Sequence, residues 1–118
     1  MNVQRGDVVV VDFPFSSGGG SKMRPALIVQ SDIENRRVNS TVVAMITKRS
    51  HRAHVEPTQF LIDPMIPEGK QSGLHHKSAV NFINLFTVEK SLVMNRIGSL
   101  TAAQMAHADL CLKAALEL

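Results

Sequence analysis

The residues best placed to do chemistry lie in Lys22-Met23-Arg24-Pro25-Ala26-Leu27-Ile28-Val29-Gln30, where a basic cluster runs straight into an apolar β-run. A guanidinium at the head of such a strand is costly to desolvate unless it is paired. It therefore belongs at a sheet rim or facing a pocket, where its rigid fork of donors suits bidentate contact with phosphate. Pro25 agrees with a rim placement, because it cannot donate to a β-ladder and favours a strand start or an edge. A second basic stretch, Lys48-Arg49-Ser50-His51-Arg52, follows Thr47 at the end of another β-run. It reads either as a solvated face or as a track for phosphates. Thr47 is either an ordinary β-former or a hydroxyl donor beside Arg24. For Arg24 the plainer alternative is an ion pair with Asp12 or Glu56.

Other candidate chemistries fall away on spacing. Gly18-Gly19-Gly20 fits neither G-x-x-x-x-G-K-[ST], since Lys22 is followed by Met23, nor G-x-G-x-x-G. His51, His54 and His75-His76 invite a metal reading. Zinc, however, wants three or four ligands held by further hydrogen-bonding partners, and no thiols accompany these imidazoles, so solvated loop histidines are the simpler reading. Cys111 is the single cysteine, which excludes an internal disulfide and a thiolate cage and suits a reducing compartment.

These residues need a frame, and the chain supplies a small β-rich one. Val8-Val9-Val10-Val11-Asp12-Phe13 is a β-branched run that reads as a central strand, and Phe13-Pro14-Phe15 ends it. Ser16 to Ser21 is a Ser/Gly loop able to close over a ligand. Ala26 to Gln30 gives the second strand, Thr41 to Ile46 the third, and Val55 to Ile62 a weaker fourth broken at Pro57. Ser31 to Arg37 is a polar connection with about one helical turn, and Asp63 to Gly73 a long loop. Ser78 to Phe86 is the fifth strand, Thr87 to Leu92 a helical turn, and Arg96-Ile97-Gly98 a short last strand. Thr101-Ala-Ala-Gln104 is a capping box, with Leu100 and Met105 as its hydrophobic staple. It opens a helix whose apolar stripe is Met105, Ala108, Leu112, Ala115 and Leu116. Met45, Met65, Met94 and Met105 read as core filler. The expected architecture is mainly β (α+β), a small partly open barrel closed by a C-terminal helix.

Composition bounds the rest. With 118 residues the chain makes one domain over 1–118, and 44% apolar content is globular. No apolar run approaches a membrane span and no signal peptide is apparent, so a cytoplasmic protein with no membrane partner is expected. The formal net charge is +3, a mild excess that supports an anionic partner without proving one. Tyr and Trp are absent and three of the five Phe look like core, which disfavours a single-strand binder built on aromatic platforms. The apolar C-terminus Ala114-Ala115-Leu116-Glu117-Leu118 would leave a lone small domain partly exposed and points to a dimer.

With the segments placed, the chain resembles the MazF/PemK family of toxin endoribonucleases from bacterial toxin–antitoxin modules. The likeness runs nearly end to end. It rests on Arg5-Gly6-Asp7-Val8-Val9-Val10-Val11-Asp12, Arg24-Pro25-Ala26-Leu27-Ile28-Val29, Asn35, the strand ending Ile46-Thr47, and Gly73-Leu74 with Ser78. Thr87-Val88-Glu89-Lys90 followed by Ile97-Gly98-Ser99-Leu100 completes it. The resemblance implies an SH3-like barrel, a homodimer, and a cognate antitoxin whose disordered tail folds onto the toxin. It also implies sequence-specific cleavage of single-stranded RNA (mRNA) to 2′,3′-cyclic phosphate and 5′-OH ends, with no metal and no cofactor. Arg24 and Thr47 match the family's catalytic pair, and Lys22, Pro25, Lys48, Arg49, Ser78 and Asn84 are the candidate RNA-binding residues. Asn84 stands where relatives often carry a base-reading Gln; it could read a base edge or satisfy strand-edge backbone. Some members place a carboxylate base in the first loop, but residues 13 to 23 hold no acid. Others place Arg and Asp on the fifth strand, where this chain has Asn81 and Ile83. His51 or His54 could then act as base. Two non-catalytic alternatives share the fold: a toxin that poisons gyrase, and an inactive homologue that binds RNA or its antitoxin.

Overall fold

The computed structural model describes residues 2–14 and 18–118. Six strands, β1 (Asp7–Pro14), β2 (Ser21–Ile28), β3 (Ser40–Thr47), β4 (Gln59–Ile62), β5 (Ser78–Glu89) and β6 (Val93–Ser99), form one sheet. Its order is β4-β5-β3-β2-β1-β6, every pairing is antiparallel, and it does not close. The helices are α1 (Asp32–Arg37), α2 (Pro67–Lys70) and α3 (Ala102–Leu116), with a 3₁₀ turn at Lys90–Leu92. This is the expected mainly β, partly open barrel with a C-terminal helix.

Alternation along the central strands sends their apolar residues to two cores. Val8, Leu27, Ala44, Ile46, Val80 and Phe82 pack on one face, where Ala108 and Cys111 of α3 cover them. Val9, Val11, Ala26, Ile28 and Val43 pack on the other, closed by Val3, Val88 and Val93. A strand buried on both faces reads as a continuous apolar run, which is why Val8 to Val11 carry no polar residue.

Several boundaries move. β2 starts at Ser21, earlier than expected, because β1 pairs with it along its whole length, from Val8↔Leu27 to Pro14↔Ser21. Arg24 is thus exposed in mid-strand, not at a strand start. The fifth strand runs on through Thr87 to Glu89, paired to Ser40–Val42 of β3, so the helical turn shrinks to Lys90–Leu92. The fourth strand keeps only Gln59–Ile62, and turns occupy the stretch before it. The Ser16–Ser21 loop falls partly on residues 15–17, outside the described residues. In α3 the capping box forms, Thr101 Oγ1 accepting from Gln104 N at 3.1 Å and Gln104 Oε1 from Thr101 N at 2.9 Å. Leu116 departs from the expected stripe and is exposed; it lies one residue past half-buried Ala115, a rotation of about 100° off the face centred on Ala108, Cys111 and Ala115. Met65 and Met94 are likewise exposed, on a loop and on the open edge strand β6.

The remaining family-like residues hold this frame. Asn35 is buried: its Oδ1 accepts from Gln30 Nε2 (2.9 Å) and Thr41 Oγ1 (2.8 Å), and its Nδ2 donates to Gln30 O (3.0 Å). Asp7, also buried, accepts from Gln4 N and from Arg96 Nε, each at 2.9 Å. Gly73 has φ +74, and a Cβ there would stand 2.0 Å from Ile97 O. Together with Gly98, where a Cβ would meet Gln71 O at 2.2 Å, it lets the loop after α2 lie directly on β6.

Candidate nucleic-acid interface

The site grows out of a missing hydrogen bond. Ile28 O accepts from Gly6 N on the β1 side, while Val29 N donates to Val42 O on the β3 side. Backbone groups alternate along a strand, so residues 25, 27 and 29 face β3. Leu27 opposes Ala44 there, and the next rung would run from residue 25 to Ile46. Residue 25 is proline, which has no N–H, and the β2–β3 ladder ends at Ala26↔Met45. Pro25 therefore sits inside a central strand, contrary to the edge placement expected, and is tolerated because the sheet divides there. On one arm β2 continues with β1 to Ser21; on the other β3 continues with β5 to Thr47↔Ala79.

Arg24 and Thr47 stand on the two arms. Continuing the β2–β3 register past Ala26↔Met45 sets them opposite each other. Arg24 shares its face with Ala26 and Ile28, and Thr47 shares its face with Val43 and Met45. Both line a groove of about 910 Å³ floored by Met45, Asn81 and Phe86. Both also line a second groove of about 610 Å³, walled by Pro25, Leu74, His75, His76 and Ser78. The pair occupies the ridge where the two grooves meet. Thr47 Oγ1 accepts from Arg49 N at 3.1 Å, a local turn that fixes the rotamer and leaves the hydroxyl proton to donate.

Lys22 and Arg49 also line both grooves, Lys48 the second, and His51 and Arg52 the first. Among the described residues Lys22, Arg24, Lys48 and Arg49 make no ion pair. Asp12 and Glu56 do not hold Arg24; Glu56 pairs with Arg52 at 2.7 Å. No carboxylate lines either groove among the described residues. The ridge is thus an unneutralised cationic surface, suited to a polyanion that crosses it.

The other candidates divide. Asn84 is exposed and lines the first groove. It sits in an irregularity of β5 where Ala44 opposes Leu85 but Met45 opposes Asn81, a bulge that aims side chains off the regular pleat. Ser78 lines the second groove but is buried, and its hydroxyl donates to His76 O at 2.8 Å. Its proton is committed to the wall, so Ser78 shapes the groove more than it offers a donor. His54 lies away from the ridge, in a cavity with Phe60 and His107.

Sequence reading missed three features of the site. Asn81 and Gln59 reach the first groove from paired positions on β5 and β4. His75 and His76 border the second. Phe13 and Phe86 form an edge-to-face pair, centroids 5.5 Å apart, in the first groove, and Phe86 is 45% exposed. The groove therefore does carry an aromatic surface, although the chain lacks Tyr and Trp. Parity along β1 held the signal for Phe13, which shares the Arg24 face with Val11.

Fold and site together define a small, curved β-protein whose split sheet presents a cationic cleft fit for a single nucleic-acid strand. Residues 4–116 match the family described as PemK-like, MazF-like toxin of type II toxin-antitoxin system, and the chain belongs to that family. Endoribonuclease EndoA of Bacillus subtilis (strain 168) is 31% identical over 119 residues, covering 100% of this chain and 97% of the relative. Endoribonuclease MazF6 of Mycobacterium tuberculosis (H37Rv) is 28% identical over 120 residues, covering 100% of both. A mycobacterial endoribonuclease solved in complex with its cognate antitoxin superposes with a TM-score of 0.77 at 25% identity, over 98% of this chain and 96% of that one. MazE–MazF from Deinococcus radiodurans gives the same TM-score at 16% identity, covering 100% and 99%, a likeness of fold.

Proposed function

We propose that this protein is an endoribonuclease toxin that cleaves single-stranded RNA and is neutralised by a cognate antitoxin protein. The observation that carries the reading is the ridge, where Arg24 and Thr47 face each other across a split sheet in a cleft lined by cationic side chains and by no described carboxylate. The names of the relatives support cleavage over the gyrase-poisoning and inactive alternatives, and the antitoxin in a neighbouring structure supports that partner.

The chemistry follows from what these groups can donate. The 2′-OH attacks phosphorus, charge builds on the non-bridging oxygens, and the 5′-oxygen leaves, giving 2′,3′-cyclic phosphate and 5′-OH ends without a metal. Arg24 is always cationic and holds the phosphate through paired N–H donors. Thr47 adds a hydroxyl donor across the cleft, placed for the charge that develops in the transition state. Lys22, Lys48 and Arg49 bind flanking phosphates, Pro25 and Ser78 shape the second groove, and Asn84 reads a base in the first. Base reading at such positions makes the cleavage sequence-specific, with mRNA as the substrate.

We also read residues 1–118 as one toxin domain, cytoplasmic, working as a homodimer. No helix among the described residues is long and apolar enough to cross a membrane, and Leu110, Leu116 and Leu118 leave an apolar surface around α3. A monomeric mass at micromolar concentration would refute the dimer.

The test is incubation of mixed-sequence RNA with the purified protein in EDTA. Cyclic-phosphate and 5′-OH ends are expected, abolished by Arg24→Ala and slowed about 10²–10³-fold by Thr47→Val. Cleavage that survives Arg24→Ala overturns the proposal.

A further inference from the structure

A phosphate held by Arg24 and Thr47 has one flank in each groove, because both residues line both. Displacement at phosphorus is in line: the attacking 2′-oxygen and the departing 5′-oxygen lie on opposite sides. A base and an acid that serve them must therefore stand on opposite banks of the ridge. We propose that histidines do this, His51 in the first groove and the His75-His76 pair in the second. The proposal rests on the RNA-cleaving reading above and supplies the proton carriers that it lacks.

The side chains present leave few alternatives. Glu56 is engaged by Arg52 at 2.7 Å and stays outside the groove lining. Among the described residues, the charged groups that line the first groove with His51 are Lys22, Arg24, Arg49 and Arg52. Those around His75 and His76 in the second are Lys22, Arg24, Lys48 and Arg49. Lysine and arginine stay protonated at neutral pH and cannot accept the 2′-OH proton. Among the described residues that line the two grooves, imidazole is the side chain able both to take and to give a proton at neutral pH. All three histidines are exposed, so their rings are free to meet a bound strand, while their backbones are tied down. Ser78 Oγ donates to His76 O at 2.8 Å, and Ala53 N donates to Ser50 O at 3.1 Å, closing the turn that carries His51.

In the step, one neutral imidazole accepts the 2′-OH proton as the 2′-oxygen–phosphorus bond forms. The opposite imidazolium gives its proton to the 5′-oxygen as the phosphorus–oxygen bond to it breaks. The products are the cyclic phosphate and the free 5′-OH; the two histidines have exchanged protonation states and re-equilibrate through solvent. Strand polarity decides which bank holds the base.

The experiment maps the bond cleaved in mixed-sequence RNA, then follows single-turnover cleavage of an oligonucleotide of that sequence from pH 5 to 9. Wild type, His51→Gln and the double variant His75→Gln/His76→Gln are compared. A base must be neutral, so its loss removes the limb that rises with pH; an acid must be protonated, so its loss removes the falling limb. Each variant is expected to lose a different limb and about 10²–10⁴-fold in rate at the optimum. Replacing the bridging 5′-oxygen by sulfur, a leaving group that needs no proton, is expected to restore only the variant missing the falling limb. Variants that keep both limbs, or a sulfur substrate that restores neither or both, overturn the proposal. Full cleavage by Arg24→Ala is a different result, and it removes the reading beneath.

Discussion

Gly73→Ala is expected to loosen the second groove by lifting its wall. At Gly73 a Cβ would lie 2.0 Å from Ile97 O and 3.2 Å from Ile97 Cβ, and φ is +74. The clash is about 1.4 Å inside the 3.4 Å at which ordinary contact begins, and Ile97 O is backbone of β6, so no rotamer change relieves it. The left-handed conformation alone costs alanine about 1–2 kcal/mol. Moving the loop far enough endangers Ser99 N→Gln71 O at 2.8 Å, about another 1 kcal/mol. It also disturbs Ser72, whose buried hydroxyl donates to Gly69 O at 2.7 Å and accepts from Leu74 N at 3.2 Å. Together these give about 3–5 kcal/mol, a large share of a small domain's stability. Urea unfolding would show a midpoint about 2 M lower with an unchanged slope. RNA cleavage below that midpoint would fall as well, since Leu74, His75 and His76 ride on the same loop. A loss under about 1 kcal/mol would refute the argument that direct backbone stacking holds this wall.

Asn35→Ala is expected to cost about 2–4 kcal/mol in thermal unfolding, because it strips Gln30 and Thr41 of a buried partner; cleavage per folded molecule should hold. Arg49→Ala is expected to lower the slope of log affinity for single-stranded RNA against log salt by about 0.7, one phosphate contact; an unchanged slope would remove Arg49 from the track. Burial raises the Cys111 thiol above its ordinary 9.0. A raised thiol favours the protonated folded form, so its stabilising contribution is whole below pH 9.0 and fades as pH climbs through the folded value. Thiol reagents at pH 8 should therefore label Cys111 only after denaturation, and rapid labelling of the folded protein would contradict its burial.

Much of the frame was legible along the chain because its signals are local. The β-branched run at Val8–Val11, the capping box at Thr101 and the isolated basic clusters report short-range preferences that tertiary packing did not override. Arg24 and Thr47 stood out along the chain too, as an arginine beside proline and a strand-ending threonine within a family-like order of motifs, although only the fold showed that neither Asp12 nor Glu56 pairs with that arginine. What only the folded chain decided is where these pieces meet. That Pro25 halts the β2–β3 ladder depends on which neighbour its nitrogen faces, and that follows from sheet order, not from residue type. The extension of β2 back to Ser21 and of β5 on to Glu89 came from partners distant in sequence, which lend hydrogen bonds that local propensity does not foresee. His75-His76 came to border the second groove because Gly73 and Gly98 allow the loop that carries them to lie on β6. The sequence alone determined which residues could hold a phosphate; the sheet's division decided that they face each other across one cleft, because a missing N–H separates strands only where another strand waits to receive it.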